Sequence, residues 1–341
     1  MNKYIVQNDN IVENIKLIRD KADGARIIAV LKGNGYGIGV TELARVLMAE
    51  GIDFFAVNEE RELIALREMG FEGDVLFLPS TAVGSQIERL IEYKPIFSIG
   101  SREAYIALKK HAKGDERVRV HINFDTGFGR YGFLPTENIS DILNDDDIYI
   151  HGAYTHLSAS FAKNQKHTRA QAKLFAQLTK QYEFANTHIA NSNALFKHGN
   201  MGCNCVRVGS AFLGRIITRS NLKPVGYFSS KVIEVKMLPK GWNIGYANIT
   251  RAKRLTKIGI VPLGSADGFG VKSNDVSIKS FLKGLVVKPR EYVTINGSRY
   301  PILGRVNMCN FVIDITDSGV IVGDEVRAEC SPVRARKTNE E

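Results

Sequence analysis

The chain has 341 residues, 44% of them hydrophobic and 24% charged, with 46 Lys and Arg against 36 Asp and Glu for a net charge of +10. This composition supports one large domain plus a smaller one and excludes a disordered or fibrous chain. The basic residues are scattered along helical stretches apart from RARK at 334–337, in a tail read as solvated and mobile, so no nucleic-acid partner is expected.

The N-terminal MNKYIVQNDN lacks the basic and apolar regions of a secretory signal. No later run reaches the ~18 apolar residues of a membrane span, so a cytoplasmic location and no membrane partner are expected. Cys203, Cys205, Cys309 and Cys330 show neither CxxC spacing nor a His/Cys cluster. Neither a metal site nor a disulfide framework is signalled, and Cys203, Cys205 and Cys330 read as reduced, inert thiols.

From residue 10 to residue 215, short apolar runs alternate with amphipathic ones. The stretch 10–22 places Ile11, Ile15 and Ile18 on one helical face. Strand-like runs follow: RIIAVL (26–31), FFAV (54–57), DVLFL (74–78), PIFSI (95–99), VRVHINF (118–124) and IYIHGAYT (148–155). A helical pattern over 165–182 groups Ala170, Leu174 and Leu178, and THIA (187–190) and VRVG (206–209) complete the strands. Eight strands with interleaved helices predict an α/β fold, a (β/α)8 TIM-type barrel over residues 1–222.

Over 223–341 the texture changes to a mostly-β domain: SSKVIEVKML, LTKIGIVPL, KGLVVK, YVTI, RYPIL, FVIDIT and GVIVGDEV. In VTINGSRYPIL, Asn296-Gly297 between two apolar runs predicts a hairpin, because both residues tolerate the positive φ of a type I′ turn.

In such barrels chemistry sits at the C-terminal strand ends. Lys32 stands there, where AVLKGNGYGIG leaves the first strand, and a partly desolvated amine has a lowered pKa and can form a Schiff base. A surface loop lysine is the alternative. Strand five leads into DTGFGRYG with Asp125 and Arg130, strand six ends at His156, strand seven enters ANSN with Asn191 and Ser192, and strand eight ends with Arg207, Gly209 and Ser210. Ser192 with the backbone around Gly209 and Ser210 suits a phosphate, and a lysine and an imidazole beside it suggest pyridoxal 5′-phosphate (PLP). Taken singly, His156 reads equally as a core histidine, Arg130 as a partner for Asp125, and Gly209 as a turn residue.

AVLKGNGYGIG, DTGFGRYGF, YTHLSAS, ANSNALF, VRVGSAFLG, PLGSADGFG and PILGRVNMCNFVIDIT, in this order along nearly the whole chain, resemble the motifs of the alanine racemase family. The resemblance implies that Lys32 carries PLP, that Tyr36, Ser192, Gly209 and Ser210 hold its phosphate, and that His156 packs beside the ring. Arg207 would face the pyridine nitrogen and donate a hydrogen bond without giving up a proton, which weakens the electron sink and suits racemisation over transamination. Arg130 would orient the phenolate oxygen. Asn123 stands where the family often has a modified lysine supporting that arginine, so support comes from a neutral amide, with or without a bound anion.

Two-base racemisation needs a base on each face of the substrate. The family's second base is a tyrosine in GYADG, contributed by the partner subunit of a homodimer with shared active sites; this chain reads GSADG, with Ser265. A serine hydroxyl is too weak an acid to replace it unaided. Cys309, where the family usually has aspartate after the methionine of GRVNM, offers a thiol of reference pKa ~8.5, with a buried inert thiol as its plainer reading and Tyr246 or a water near Ser265 as the other candidates. The family's second phosphate-binding tyrosine, beyond GVIVGDEV, is replaced by AECSPVRARKTNEE, which implies a weaker hold on phosphate or a wider entrance. The expected activity is PLP-dependent racemisation of a small amino-acid substrate. Decarboxylation or lyase chemistry on Lys32 alone, and PLP binding without turnover, are the alternatives.

Overall fold

The structure is a computed structural model that describes residues 2–111, 117–180, 182, 184–248, 250–271 and 291–336. It divides into two compact units, Asn8–Pro224 and Met1–Gln7 with Val225–Glu341.

In the first unit, eight parallel strands among the described residues close a barrel: β2 (Arg26–Val30), β3 (Phe54–Val57), β4 (Asp74–Phe77), β5 (Ile96–Ile99), β6 (Val118–Asn123), β7 (Ile148–Tyr154), β8 (Asn186–His188) and β9 (Cys205–Val208). β9 pairs back onto β2 with Arg26 opposite Cys205 and Ile28 opposite Arg207. Every predicted barrel strand is present, because parallel strands covered on both faces read as short continuous apolar runs. The helix Asn8–Ala22 buries Ile11, Ile15 and Ile18 as its spacing predicts. The helix Lys166–Thr179 does not follow its apolar residues: it buries Thr168, Gln171 and Phe175, while Ala170 is exposed and Leu174 and Leu178 are half-buried. Gln171 turns inward because its amide has backbone to satisfy: it donates to the His156 carbonyl at 3.1 Å and accepts the Ser158 N–H at 3.1 Å.

In the second unit, β1 (Lys3–Val6), β10 (Gly226–Lys231), β11 (Glu234–Leu238), β12 (Thr256–Val261), β13 (Tyr292–Ile295), β14 (Ser298–Leu303), β15 (Phe311–Asp314) and β16 (Glu325–Glu329) form one sheet in the order β1-β10-β16-β13-β14-β15-β12-β11. Its core packs Phe228, Leu263, Phe311, Ile313 and Val326. The Asn296-Gly297 turn has φ of 49° and 77°, and Ile295 sits opposite Ser298. The first residues, assigned above to the barrel, go with this sheet instead, since Lys3 pairs with Ser229 and Val6 with Gly226. Of GVIVGDEV only the end is strand, because Gly323 turns the chain at φ 97°. KGLVVK lies outside the described residues. The stretch before residue 337 is held rather than free: the Arg336 N–H donates to the Asp267 carbonyl and Ala335 packs on the core. Among the described residues no helix is long and apolar enough to cross a membrane.

Asn14, fully buried, joins the first helix to the end of the barrel chain. Its amide donates to the Phe212 carbonyl at 3.0 Å and the Lys223 carbonyl at 2.8 Å, and its oxygen accepts the Lys223 N–H at 2.7 Å. Asn14→Ala orphans these groups and is expected to lower unfolding stability by about 2–3 kcal/mol in urea titrations. An unchanged midpoint would remove this anchor.

Candidate active site

The chain leaves β2 and turns through Gly33, Asn34, Gly35, Tyr36 and Gly37 with φ between 51° and 86° throughout. Left-handed backbone costs an L-residue about 1–2 kcal/mol, so alternating glycines, with an asparagine that tolerates the region, are what allow the loop. Glu62, 1% exposed, holds it: its carboxylate accepts the Asn34 N–H at 2.8 Å and the Asn58 and Glu59 N–H groups at 2.9 and 3.0 Å. The turn delivers Lys32 and Tyr36 to a cavity of about 240 Å³ at the C-terminal strand ends.

That cavity collects Lys32, Tyr36, Arg130, His156, Arg207 and the Asn191–Ser192 and Gly209–Ser210 pairs, with Asn123 at its wall. The barrel-borne residues picked from the sequence therefore converge. Ser265 and Cys309 belong to the second unit, where the Ser265 N–H donates to the Asn307 carbonyl at 3.0 Å and Ala266 N–H to the Met308 carbonyl at 2.9 Å, so the two lie on bonded loops. Gly264 permits this contact, as a Cβ there would stand 2.3 Å from the Met308 oxygen. Cys309 is exposed, whereas Cys203, Cys205 and Cys330 are buried, and burial pushes the Cys205 thiol up to about 12.

Partial desolvation, then the charges of Arg130 and Arg207, hold the Lys32 amine below its usual range against an upward pull from Glu62. Burial drives His156 down to about 3, helped by Arg207, Arg130 and Lys32, so its imidazole is neutral. Burial, then Glu62, raises Tyr36 to about 12, which keeps the phenol protonated and able to donate. Arg207, 4% exposed, donates to the Thr155 carbonyl at 2.7 Å, the His188 carbonyl at 3.1 Å, His188 Nδ1 at 2.7 Å and His156 Nδ1 at 3.1 Å.

Asp125 does not pair with Arg130. Burial pushes its carboxyl up, but hydrogen bonds from the N–H groups of Gly127, Phe128, Gly129 and Arg130 outweigh this and hold it low. Arg130 instead lies over the rings of Phe128 and Tyr131, 4.6 and 5.5 Å from their centroids. Asn191 acts one step back, its Oδ1 accepting the Ala194 N–H and the Ser160 hydroxyl, both at 3.0 Å. Sequence reasoning missed the lining residues Tyr131 and Tyr154 and the supporting Glu62. Only the position of Glu62 three residues after Glu59, a capping-box spacing, marks it in advance.

The residues fit PLP. Lys32, Arg130 and Arg207 line the cavity and no Asp or Glu does, a donor set for a phosphate, a phenolate and a substrate carboxylate. Ser192 Oγ accepts the Gly209 and Ala211 N–H groups at 3.1 and 3.3 Å, so its own proton is left to donate to an anion. Gly209 is more than a turn residue, since a Cβ there would meet the Tyr36 hydroxyl at 2.2 Å. Among the described residues no group of three or more His, Cys, Asp or Glu is arranged to hold a metal.

His156, His121 and His188 are all held below their unfolded value of ~6.5, chiefly by burial. The unfolded chain therefore binds more protons between about pH 3 and 6.5. Stability is expected to be full above that window and to fall with decreasing pH, by up to ~1.4 kcal/mol per pH unit for each such imidazole, in denaturant titrations from pH 7.5 to about 5. A flat profile would mean that these rings are protonated in the fold.

Comparisons with known proteins agree with this geometry. The family model described as alanine racemase, N-terminal domain matches residues 6–216, and that described as alanine racemase, C-terminal domain matches 225–335. The chain is 30% identical to alanine racemase 2 of Caldanaerobacter subterraneus subsp. tengcongensis, over 94% of this chain and 83% of that protein. It is 31% identical to the alanine racemase of Aquifex pyrophilus, over 94% and 86%. Among solved structures it is similar to the alanine racemase from E. faecalis, with a TM-score of 0.79 and 28% identity over 100% of this chain and 90% of that one. With both domain models matched in order and a lysine-bearing barrel mouth in place, the chain belongs to the alanine racemase family.

Proposed function

We propose that the chain is a PLP-dependent amino-acid racemase interconverting the L- and D-forms of a small amino acid, alanine by the names of its relatives, with Lys32 as one of two bases. The observation that carries this reading is a cavity lined by a lysine and two arginines and by no carboxylate, with the lysine amine depressed by burial first and by the two arginines second.

PLP, when bound, supplies the electron sink that makes the substrate's α-proton acidic. The protonated Tyr36 phenol, the Ser192 hydroxyl and the backbone at Gly209 and Ser210 would hold its phosphate, and neutral His156 would pack beside its ring. Arg207, pinned by two carbonyls and two imidazoles, would donate to the ring nitrogen and keep its own proton. Arg130, stacked on Phe128 and Tyr131, would orient the phenolate oxygen, with Asn123 as its neutral neighbour.

Lys32 moves the proton on one face. Cys309 of the partner subunit moves it on the other, in a homodimer whose sites are shared, since Ser265 lacks the acidity for the task and Cys309 is exposed on the loop bonded to it. Tyr246, 73% exposed, is the second candidate. The enzyme acts in the cytoplasm.

Incubation with each alanine enantiomer in deuterated water tests the assignment. The unaltered protein is expected to place deuterium at Cα of both enantiomers. Lys32→Ala should abolish exchange, and Cys309→Ala should slow inversion at least ~100-fold while exchange with retention persists. Inversion unaffected in Cys309→Ala removes that residue and brings Tyr246→Phe forward. Exchange without inversion in the unaltered protein would support one-base chemistry on Lys32, and no exchange at all would support binding without turnover.

A further inference from the structure

The histidines at 121, 151 and 188 lie along the barrel axis. His188 closes β8, His121 and His151 sit mid-strand in β6 and β7, and Asp74 opens β4 at the opposite end from the cavity. Three contacts are at hydrogen-bond distance, Arg207 Nη1 to His188 Nδ1 at 2.7 Å, His188 Nε2 to His121 Nδ1 at 2.8 Å and His121 Nε2 to His151 Nδ1 at 3.0 Å, while His151 Nε2 stands 3.9 Å from Asp74 Oδ2, a charge contact longer than a hydrogen bond. His121 and His188 are 0% exposed.

Arginine can only donate, so the first link requires an unprotonated Nδ1 on His188 and places its proton on Nε2. That proton must face a bare Nδ1 on His121, and the same requirement passes to His151, whose proton is then left on Nε2, the ring nitrogen nearest Asp74. Moving any one proton sets N–H against N–H at one link and two lone pairs against each other at the next. Arg207 thus fixes three tautomers in one direction, acceptor ends toward the cation and donor ends toward the carboxylate, and aligned bonds of this kind strengthen one another.

Packing holds the rings in register. Tyr154 lies parallel to His188, with centroids 5.0 Å apart and planes at 4°, His121 and His151 lie nearly coplanar at 5.2 Å and 22°, as their hydrogen bond requires, and Phe54 makes edge contacts with His121 and His151. The nearest competing donor, Asn186 Nδ2, makes its short bond to the His151 carbonyl at 2.9 Å and stands at nearly equal, longer distances from the two ring nitrogens, 3.5 Å from His151 Nδ1 and 3.4 Å from its Nε2, so it favours neither tautomer. The partners of Arg207 are two carbonyls and two imidazole nitrogens, none of them a carboxylate. Asp74 also accepts from Arg119 at 2.6 Å and Arg26 at 3.0 Å.

We propose that His188, His121 and His151 form a single directional hydrogen-bond relay that runs from Arg207 at the cavity to His151, the imidazole nearest Asp74, and positions the guanidinium. The three histidines are positioning residues. Their effect on the reaction rests on the reading above that Arg207 faces the cofactor ring, whereas the relay itself does not.

Two measurements test it. In the full-length protein with 15N-labelled histidine and no added cofactor, the three imidazoles, assigned by their loss in single variants, are expected to show the neutral Nε2–H pattern throughout about pH 5.5 to 9. A proton on Nδ1 of any of them, or a midpoint near the free value of ~6.5, would overturn the relay. In the PLP-loaded holoprotein, His121→Phe cuts two links and frees Arg207 to shift. Half-transamination, in which alanine leaves as pyruvate while its amino group and two electrons pass to PLP to give pyridoxamine phosphate, is expected to rise several-fold per racemisation event, a partition that loss of stability alone would not move. An unchanged partition would overturn the positioning role. Failure of the chain to take up PLP would sink the functional reading and leave the tautomer result standing.

Discussion

Positive charge crowded into a partly dehydrated space sets the terms for this site. Lys32, Arg130 and Arg207 line one cavity; burial first, and then the two arginines, which resonance keeps protonated, make the lysine the group that yields. A lysine in water is protonated and useless as a nucleophile or base at neutral pH; beside two permanent cations its neutral form gains ground. Burial, with the same cations second, neutralises His156, so what remains charged is what anionic groups of a cofactor and substrate need.

Keeping those cations in place is the work of the surrounding barrel. A charge as buried as that of Arg207 is tolerated only with its donors satisfied, and the strand ends supply two carbonyls and two ring nitrogens. The lysine loop depends on a different device, a left-handed turn that alternating glycines permit and that the buried Glu62 carboxylate ties down through backbone N–H groups. Gln171 does the same from the outer helix for the segment carrying His156. Polar side chains facing inward from helices are thus how the scaffold grips its functional loops.

Much of this was legible in the sequence, for physical reasons. Barrel strands read clearly because both faces are covered, and the strand-end rule then converted Lys32, Arg130, His156, Ser192 and Arg207 from scattered residues into one rim. What escaped reading depends on distance or on polar pairing. The pairing of Lys3–Val6 with Gly226–Lys231 spans over two hundred residues and has no local signature. The helix Lys166–Thr179 buries a glutamine where periodicity favours leucine, because hydrogen bonding to loop backbone outweighs apolar burial there. His121, His151 and His188 sit inside apolar runs, and only the closed barrel reveals that they touch. The stretch at Arg334–Arg336 reads as a free basic tail, yet its backbone is bonded to the Asp267 turn.

The account stands on a covalent bond between the Lys32 amine and the aldehyde of PLP. Borohydride reduction of the PLP-loaded protein followed by peptide mass spectrometry measures it directly. The expected result is a phosphopyridoxyl group on the peptide containing Lys32 and its absence in Lys32→Ala. An unmodified Lys32, or a label carried by another lysine, would contradict the assignment of the site.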